Sequence, residues 1–378
     1  MGDRRSILMV AGEASGDLHG SKVVSRLKLA DPSIEIYGVG GDRMGEAGME
    51  LAHHSRDFGV VGFVEVLRHV PRLRRTMNGL VALARERRTP LAILIDYPGF
   101  NLVLARRLRE AGTRVLYYIS PQVWAWGEGR VRKLAERAER VAVILPFEER
   151  FFAERGVDVT FVGHPLLEVP AIACFEGRRE RPPDRPLLGI FPGSRPHEVE
   201  RHLSPMLAAA AILADEFPGL EIRVARAEGL DAGLIDRRLE RAPGGTEVVG
   251  PERRHRLMRE ATALMVSSGT ATLEAACFGT PMVIVYRMAP LSYAIGRMLV
   301  RIPHIGLVNV VSGREVVPEL VQGEVTPGRL AETTGRFLRD REAAARTSES
   351  LLETREKLGT PGASARVARL ALSMMEGA

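Results

Sequence analysis

The chain has 378 residues, of which 45% are hydrophobic and 26% are charged. These are ordinary values for globular proteins, so they exclude a fibrous or wholly disordered chain, and the length predicts two domains or slightly more. The formal net charge is +6, and all but four of the 53 basic residues are arginine, whose planar guanidinium suits phosphate binding. A basic excess of this size favours phosphorylated ligands or an anionic membrane surface as readily as nucleic acid.

The two cysteines, Cys174 and Cys277, are too few for a disulfide framework or a CxxC metal site, and this usage fits a reducing compartment. No stretch reaches the ~18 continuous apolar residues that span a bilayer. The apolar run at residues 7–11 is too short for the hydrophobic region of a signal peptide. We therefore expect a cytoplasmic protein, for which a peripheral membrane contact is an open alternative.

In the first half of the chain, short apolar runs alternate with turn-rich loops and helical stretches. The predicted elements are a strand at 6–11, a helix near 18–30, a strand at 91–95, a helix near 102–111, strands at 114–119 and 141–145, and a helix near 147–155. Continuous apolar strands that alternate with helices indicate a parallel sheet covered on both faces. Ligands of such sheets gather beyond the carboxyl ends of the strands, so the loops there are the candidate site.

Polar residues follow the predicted strands of this half; they are Glu13, Asp17, His19, Asp96, Asn101 and Gln122. Asp96 ends an apolar strand before a Pro-Gly turn, where a half-desolvated carboxylate suits a general base. The alternative is a structural Asp96 that caps its own turn, and Glu13 and His19 are the next candidates for the base. His164, within a Gly-His-Pro sequence, is better explained as a turn residue.

An amphipathic stripe runs through Phe63, Val66, Leu67 and Val70, which recur at i, i+3, i+4 and i+7. Arginines follow the stripe, and Pro71 is expected to kink or restart the helix. A core-facing helix is the ordinary explanation. The sharper hypothesis is an interfacial helix, whose apolar residues enter lipid while its arginines bind phosphate headgroups.

A polar stretch rich in proline and arginine, residues 171–186, is predicted to link two domains. The pattern then restarts with a strand at 187–191, a helix near 197–216, strands at 220–225 and 263–267, a helix to about 278 and a strand at 281–286. The sequence therefore predicts an α/β protein with two doubly wound, Rossmann-like domains at 1–170 and 187–344.

Two strand–turn–helix junctions of the second domain suit an anion. At the first, Gly193, Ser194 and Arg195 open a helix, so free N–H groups and a guanidinium predict a diphosphate site. The second junction supplies hydroxyls and helix N-terminal amides from Ser268, Gly269, Thr270 and Thr272. Glu274 lies about one turn further on, where a carboxylate can accept hydrogen bonds from ribose hydroxyls. Helix capping explains either junction alone, whereas two on neighbouring strands favour a nucleotide.

Fingerprints of other classes are missing from the sequence. The glycine-rich stretch 38–45 places Arg43 at the third glycine of G-x-G-x-x-G, which disfavours a two-domain oxidoreductase, and no P-loop motif occurs. Neither HExxH nor a clustered DxD motif is present. We therefore predict no metal ion, no cofactor and no nucleic-acid partner.

Eight motifs follow one another along the chain. They are AGEASGDLHG (11–20), GGDRM (40–44), IDYPGFN (95–101), SPQVWAW (120–126), VGHPL (162–166), PGSR (192–195), SSGTATLEA (267–275) and GLVNVVSGREVVPELVQ (306–322). Their order resembles that of the lipid-A-disaccharide synthase family, over about residues 7–330. The first and fourth motifs are the most specific, because loops similar to PGSR and SSGTATLEA also occur in other GT-B glycosyltransferases and in UDP-sugar epimerases.

The resemblance implies a GT-B architecture, in which two Rossmann-like domains face across a cleft. It implies transfer of 2,3-diacylglucosamine from its UDP conjugate to 2,3-diacylglucosamine 1-phosphate, which gives the β(1→6) lipid A disaccharide 1-phosphate and UDP. The implied enzyme is inverting and metal-independent, and it is peripheral on the cytoplasmic surface of the inner membrane, with a homodimer as one possible state. By analogy with other GT-B folds, a C-terminal helix at about 345–378 is expected to return to the first domain.

Residue matching to the family extends the candidate site. The implied donor-nucleotide residues are Arg195, Ser268, Gly269, Thr270, Thr272, Glu274, Asn309 and Gln322. From the other domain, Ser15, Gly16 and Asp17 would line the cleft. Members of the family often carry a second acid in the loop that holds Asp96, but Gly99 stands there in this chain. The loop therefore offers no substitute for Asp96 as the base that deprotonates the acceptor 6-hydroxyl.

Two alternatives are left by the sequence. One is another GT-B UDP-sugar enzyme, such as a UDP-GlcNAc 2-epimerase, which shares the donor loops but needs no acylated acceptor. The other is a non-catalytic membrane-surface protein that binds phosphate or lipid through its arginines. Release of UDP only when both acylated sugars are present would separate the transferase from both.

Overall fold

Every strand pairing in the described part of the chain is parallel, and the strands form two separate sheets. A computed structural model describes residues 5–58, 63–126, 129–177, 184–240, 242–289, 293 and 303–376. The chain divides into two units. The first comprises the residues up to Pro165 together with those from Gly359, and the second is Leu166–Leu358. The predicted α/β class with two parallel-sheet domains is confirmed.

The first unit alternates strands with helices around a seven-stranded sheet. Its elements up to the last strand are β1 (Ser6–Ala11), α1 (Ala14–Ala30), β2 (Glu35–Gly40), α2 (Asp42–Glu46), β3 (Glu50–His54), a 3₁₀ turn (Ser55–Phe58), α3 (Phe63–Glu86), β4 (Leu91–Ile95), α4 (Pro98–Glu110), β5 (Arg114–Tyr118), α5 (Val123–Trp126), α6 (Gly129–Arg137), β6 (Arg140–Val143), α7 (Pro146–Ala153) and β7 (Val159–Phe161). The strand order is β3-β2-β1-β4-β5-β6-β7. The order reverses between β1 and β4, so their carboxyl ends form the switch point at which doubly wound sheets bind ligands.

The second unit repeats this plan around six strands. Its elements are a 3₁₀ turn that begins at the unit boundary (Pro165–Glu168), α8 (Pro170–Ala173), β8 (Leu187–Phe191), α9 (Pro196–Glu216), β9 (Glu221–Ala225), α10 (Ala232–Leu239), β10 (Glu247–Val249), a 3₁₀ turn (Pro251–Arg253), α11 (Arg254–Glu260), β11 (Ala263–Ser267), α12 (Thr270–Cys277), β12 (Met282–Tyr286), α13 (Leu307–Ser312), β13 (Glu319–Val321), a 3₁₀ turn (Gln322–Glu324), α14 (Pro327–Arg339) and α15 (Arg341–Lys357). The strand order is β10-β9-β8-β11-β12-β13. The switch point lies between β8 and β11, whose carboxyl ends carry the two predicted anion-binding junctions.

Both faces of the first sheet are buried, because alternate side chains of each strand point to opposite faces. Leu8 and Val10 of β1 belong to one core cluster, together with Leu80 of α3. Their neighbours Ile7 and Met9 belong to a second cluster on the other face. This two-sided burial explains why β1 is a continuous apolar run rather than an alternating one.

The last helix, α16 (Ala363–Glu376), packs in the first unit, against α1. Its buried face includes Val367 and Ala371, which join the core cluster of Ile7 and Met9. The stretch predicted to return, 345–378, is thus divided, because α15 packs on α12 within the second unit. Its Arg355 donates to the carbonyl of Ile172, so α8, within the predicted linker 171–186, also belongs to the second unit.

Among the described residues, none of the helices combines the length and the apolar character needed to cross a bilayer.

Gly38 in β2 is held in a conformation that only glycine adopts easily. Its φ is +142°, and a Cβ there would lie 2.1 Å from the carbonyl oxygen of Met9, at a shift in the register between β2 and β3. We expect Gly38→Ala to lower the free energy of unfolding of the first unit by about 1–3 kcal/mol or more. Gly79→Ala is the matched control, since a Cβ there meets nothing within 4 Å. It should raise stability by about 0.5–1 kcal/mol through helix propensity. Thermal and denaturant unfolding would test the pair, and equal midpoints would contradict the prediction.

Candidate functional site

Asp96 lies in a turn at the carboxyl end of β4, in a backbone conformation that non-glycine residues rarely adopt. Asp96 and Tyr97 have φ values of 45° and 48°. Three hydrogen bonds hold the turn: the Asp96 N–H donates to the carbonyl of Tyr118 (2.9 Å), and the Asp96 carbonyl accepts from the Tyr117 hydroxyl (2.7 Å) and the Asn101 amide (2.8 Å). Strained turns that persist because their surroundings hold them are concentrated at functional sites.

The electrostatics of this turn suit proton transfer. Burial, and to a lesser extent the negative charge of Glu13, raises the pKa of the Asp96 carboxyl to about 6. Glu13 is exposed at the position just before α1. The carboxyl group is therefore mostly ionised at neutral pH and still close enough to its pKa to exchange a proton, which is the requirement for a general base.

The other predicted residues of the β1–α1 junction have different surroundings. Ser15 is exposed, and a Cβ on Gly16 would lie 3.2 Å from Cβ of Ala11, so Gly16 lets α1 approach β1 closely. The Asp17 carboxylate is buried and accepts hydrogen bonds from the N–H groups of Gly41 (2.6 Å), Met44 (3.1 Å) and Arg43 (3.3 Å). Asp17 thus anchors the start of α2, and the expectation that Asp17 lines the site stays a prediction.

Two histidines of this unit, His19 and His164, are neutral at physiological pH. Burial lowers the pKa of His19 to about 4 and that of His164 to about 3. His164 follows β7, in the turn that the sequence predicts. Among the described residues, Nδ1 of His19 has no hydrogen-bond partner.

In the second unit, an internal carboxylate occupies the helix terminus predicted to bind diphosphate. The N–H groups of Ser194 and Arg195 donate to Oε2 of Glu198, at 2.9 and 3.2 Å. Gly193, with φ +127°, leaves the space that the Glu198 side chain fills. The Arg195 guanidinium lies 3.8 Å from the same carboxylate, and its side chain is 66% exposed. Arg195 can therefore reach a ligand directly, whereas a diphosphate at these amides must displace Glu198.

The buried imidazole of His202 connects the ends of two strands. It lies 3.0 Å from the carbonyl of Pro192, after β8, and its Nε2 accepts from the N–H of Arg287, after β12, at 3.0 Å. The neutral tautomer that satisfies the Arg287 N–H carries its proton on Nδ1 and donates to Pro192; Nε2 also lies 3.1 Å from the Arg287 carbonyl. His202 thereby sets the spacing between the Gly193 turn and the segment after β12.

The second junction is stabilised largely by its own side chains. Ser268 Oγ donates to the carbonyl of Ile305 (3.0 Å), and the buried Thr272 hydroxyl donates to the carbonyl of Gly269 (2.8 Å). Gly269 has a φ of 151°, and Thr270 at the start of α12 is exposed. Thr272 thus caps its own turn, which is the alternative that the sequence left open for this junction, and Thr270 is the hydroxyl that faces solvent.

Glu274 is buried between two basic side chains of α11. Its carboxylate accepts from the guanidinium of Arg254 at 2.8 Å and lies 3.2 Å from Nε2 of His255. The ribose contact expected for Glu274 therefore requires sharing of this carboxylate with Arg254, which is itself partly exposed. Neither basic partner could be predicted from the motif, because both lie on α11, before the strand that leads to Glu274.

Asn309 and Gln322, the remaining implied donor residues, both hold backbone. Asn309 is fully buried: its amide donates to the carbonyl of Val317 and to Glu319, and its oxygen accepts from two N–H groups, those of Val316 and Val317. Every hydrogen-bonding position of that amide is filled within the protein, so Asn309 positions α13, and its contact with a nucleotide stays a prediction. Gln322, with φ 53°, accepts from the N–H of Met288 at 2.9 Å.

The side chains of Phe63, Val66, Leu67 and Val70, at the start of α3, lie outside the described residues, so their membrane role stays a prediction. Among the residues that the structure describes, no cluster of three or more His, Cys, Asp or Glu side chains is arranged to hold a metal ion.

The fold is that of a known class of nucleotide-sugar enzymes. The calicheamicin glycosyltransferase CalG4 superimposes with a TM-score of 0.62 at 18% identity, over 99% of this chain and 98% of that one. The UDP-GlcNAc 2-epimerase from Neisseria meningitidis, bound to UDP-GlcNAc, superimposes with a TM-score of 0.58 at 9% identity, over 99% and 100%. These similarities place the chain in the GT-B fold class.

The particular family follows from sequence comparison. The model of the family described as "Lipid-A-disaccharide synthetase" matches residues 7–373. The lipid-A-disaccharide synthase of Geobacter metallireducens is 42% identical over 375 residues, which is 98% of this chain and 97% of that protein. The chain belongs to the lipid-A-disaccharide synthase family and is a glycosyltransferase, as the motif order predicted, and the epimerase alternative is not supported.

We expect His202→Ala to destabilise the second unit by about 1–3 kcal/mol, because it leaves a buried carbonyl and a part-buried N–H without partners. His202→Gln places a donor and an acceptor on one planar group and should retain most of the stability. His197→Ala is the control, since His197 is exposed on the same helix. Thermal unfolding of the three variants is the measurement, and a Gln variant as unstable as the Ala variant would contradict the proposed tautomer.

Proposed function

We propose that this chain transfers 2,3-diacylglucosamine from its UDP conjugate to 2,3-diacylglucosamine 1-phosphate, with Asp96 as the general base. The observation that carries the proposal is the Asp96 turn. A half-buried carboxyl group with a pKa of about 6 stands at the switch point of the first sheet, on a strained backbone that three hydrogen bonds maintain. Family membership supplies the reaction type.

The second unit is the proposed binding site for the donor. The Arg195 guanidinium is largely exposed beside the start of α9, where it can form a bidentate pair with a phosphate group. After the neighbouring strand, β11, Thr270 offers its hydroxyl and α12 offers its N-terminal amides. Glu274 is the candidate that would accept hydrogen bonds from the ribose hydroxyls. UDP would thus be bound through its phosphates and its sugar, by groups at the carboxyl ends of β8 and β11.

In the proposed step, Asp96 removes the proton of the acceptor 6-hydroxyl as that oxygen attacks the anomeric carbon. The new C–O bond forms on the face opposite the departing phosphate, so the configuration inverts and the linkage is β. The bond from the anomeric carbon to the phosphate oxygen breaks, and UDP leaves with the electron pair. Arg195 and the helix amides stabilise the charge on the leaving diphosphate, so the proposal assigns no step to a metal ion.

The positions of the acyl chains and of the membrane surface are part of the same proposal. The acyl chains would lie along the stripe of Phe63, Val66, Leu67 and Val70, and the arginines after it would bind headgroups of the cytoplasmic surface of the inner membrane. The apolar spacing of the stripe and the net charge of +6 support this placement. The homodimer stays a prediction.

Asp96→Asn should lower kcat by roughly 10²–10⁴-fold, because the amide cannot accept the proton from the 6-hydroxyl. UDP affinity, measured by calorimetry, should be unchanged, since the donor site lies on the second unit. Asp158→Asn, an exposed acid paired with Arg140 in the same unit, is the matched control and should keep the kcat of the parent. An Asp96→Asn variant with parent-like turnover would exclude Asp96 as the base.

The pH profile of kcat/KM should depend on the negative charge of Glu13. A base must be deprotonated, so kcat/KM should fall as the pH drops through the Asp96 pKa, about 6. Glu13→Gln removes a negative charge that raises this pKa, so the acidic limb should move to lower pH. Glu110→Gln, an exposed acid at the far end of α4, should leave the limb in place. A limb that stays fixed or moves upward in Glu13→Gln would argue against this electrostatic coupling.

A further inference from the structure

Glu148 is a buried carboxylate that the proposed mechanism does not use. It lies in the first turn of α7 and is 1% exposed. Its Oε1 accepts from the hydroxyl of Ser120 (2.7 Å) and from the indole N–H of Trp124 (3.0 Å), and its Oε2 accepts from the N–H of Leu145 (3.0 Å). These partners are all neutral donors, so the acceptor-only, ionised carboxylate suits them. Burying a charged carboxylate is costly, and burial accordingly raises the pKa of Glu148 to about 6.

The two side-chain partners of Glu148 belong to the SPQVWAW motif (120–126), to which the proposed mechanism gives no role. Ser120 is buried directly after β5, and Trp124 lies on α5. The Trp124 ring also packs edge-on against Phe147, with ring centres 4.9 Å apart. Two successive residues of α7 therefore fix Trp124, one through its N–H and the other through its ring.

The strand end that Glu148 anchors is the one that holds Asp96. Tyr118, the last residue of β5, accepts from the N–H of Asp96, and Tyr117 donates to the carbonyl of Asp96. Between Tyr118 and Ser120 lies Ile119, whose φ of 62° is left-handed and whose N–H donates to the carbonyl of Ala142 in β6. Hydrogen bonds at both ends, joined by the covalent backbone from Tyr118 to Ser120, thus connect α7 with the turn after β4.

We infer that Glu148 is a positioning residue for the acceptor side of the reaction, which it serves by fixing Ser120 and Trp124 and, through the end of β5, the backbone of Asp96. This inference rests on the proposed function of Asp96. A displacement of a catalytic group by about 1 Å can cost on the order of 10²-fold in rate. Loss of the network should therefore lower kcat and raise the KM of the acceptor, while the affinity for UDP, which is assigned to the second unit, stays unchanged.

The test uses three variants of the full chain with graded severity. Trp124→Phe keeps a ring against Phe147 and removes one N–H donor; Ser120→Ala removes the other side-chain donor; Glu148→Gln keeps the shape but presents an amide N–H₂ group to a ring of donors. The matched control is Glu149→Gln. Glu149 is the next residue of α7, and its carboxylate accepts from the N–H of Phe161 at 2.8 Å. Phe161 belongs to β7, which pairs with β6 on the side away from β5.

We expect kcat to fall about threefold to tenfold in Trp124→Phe and Ser120→Ala and at least tenfold in Glu148→Gln, with UDP affinity within twofold of the parent in all three. Adding Trp124→Phe to Glu148→Gln should cause little further loss, because the effect of the indole passes through the same carboxylate. Glu149→Gln should keep the parent kcat even where it lowers the thermal midpoint.

The inference is overturned if the Ser120 and Trp124 variants keep kcat within twofold of the parent, and these two mild variants decide the matter even if Glu148→Gln does not fold. It is also overturned if Glu149→Gln loses as much activity as Glu148→Gln, since the role would then be merely structural. A parent protein that fails to bind UDP, or Asp96→Asn with full turnover, would instead refute the proposed function itself.

Discussion

The position of Asp96 depends on hydrogen bonds between the turn after β4 and the end of β5. Two successive left-handed residues are unfavourable by themselves, and they persist because Tyr118, Tyr117 and Asn101 satisfy the backbone of the turn. The apolar strands beneath supply the rigidity, since β4 and β5 pair in parallel register from Leu91 to Ile95. The fold therefore places the Asp96 carboxyl group at the carboxyl end of β4, on a turn whose backbone these hydrogen bonds keep ordered.

The polar residues of the second unit follow a different principle. Asn309, Thr272 and His202 saturate backbone groups at the strand ends, and the carboxylates of Glu198 and Glu274 each engage groups that a nucleotide would use. Most of the polar residues in the family motifs therefore build the loops. A smaller number, of which Arg195 and Thr270 are the clearest, face solvent and are free to receive a ligand.

The apolar runs were sufficient to predict the central strands other than β2. The strands at 6–11, 91–95, 187–191 and 263–267 have the bounds expected from the sequence. The strands that the pattern missed include β3, β7, β10 and β13, which lie at sheet edges, are three to five residues long and are only partly buried, so they carry little apolar signal. The interior strand β2 was missed because two glycines and a glutamate interrupt its apolar run.

Candidate site residues could be proposed from the sequence where they lie just after a strand, as with Asp96, Arg195 and Thr270, and their roles stay predictions. The hydrogen-bond partners of the buried polar residues could not be predicted, because they lie far away in the sequence. His202 meets Arg287 across 85 residues, and Ser120 meets Glu148 across 28. Glu198 is the exception, since an acidic residue three positions into a helix is a recognisable capping signal. The same turn also has the glycine and serine of an anion site, so the sequence alone does not decide between a capping carboxylate and a bound anion.

The carboxylate of Glu198 gives the proposed reaction a property beyond binding. The amides of Ser194 and Arg195 already donate to a carboxylate of their own chain. If the donor diphosphate binds at these amides as proposed, its arrival exchanges one anion for another, and so does its departure. The tethered carboxylate would then return to the amides as the nucleotide leaves, which would ease product release at the expense of affinity.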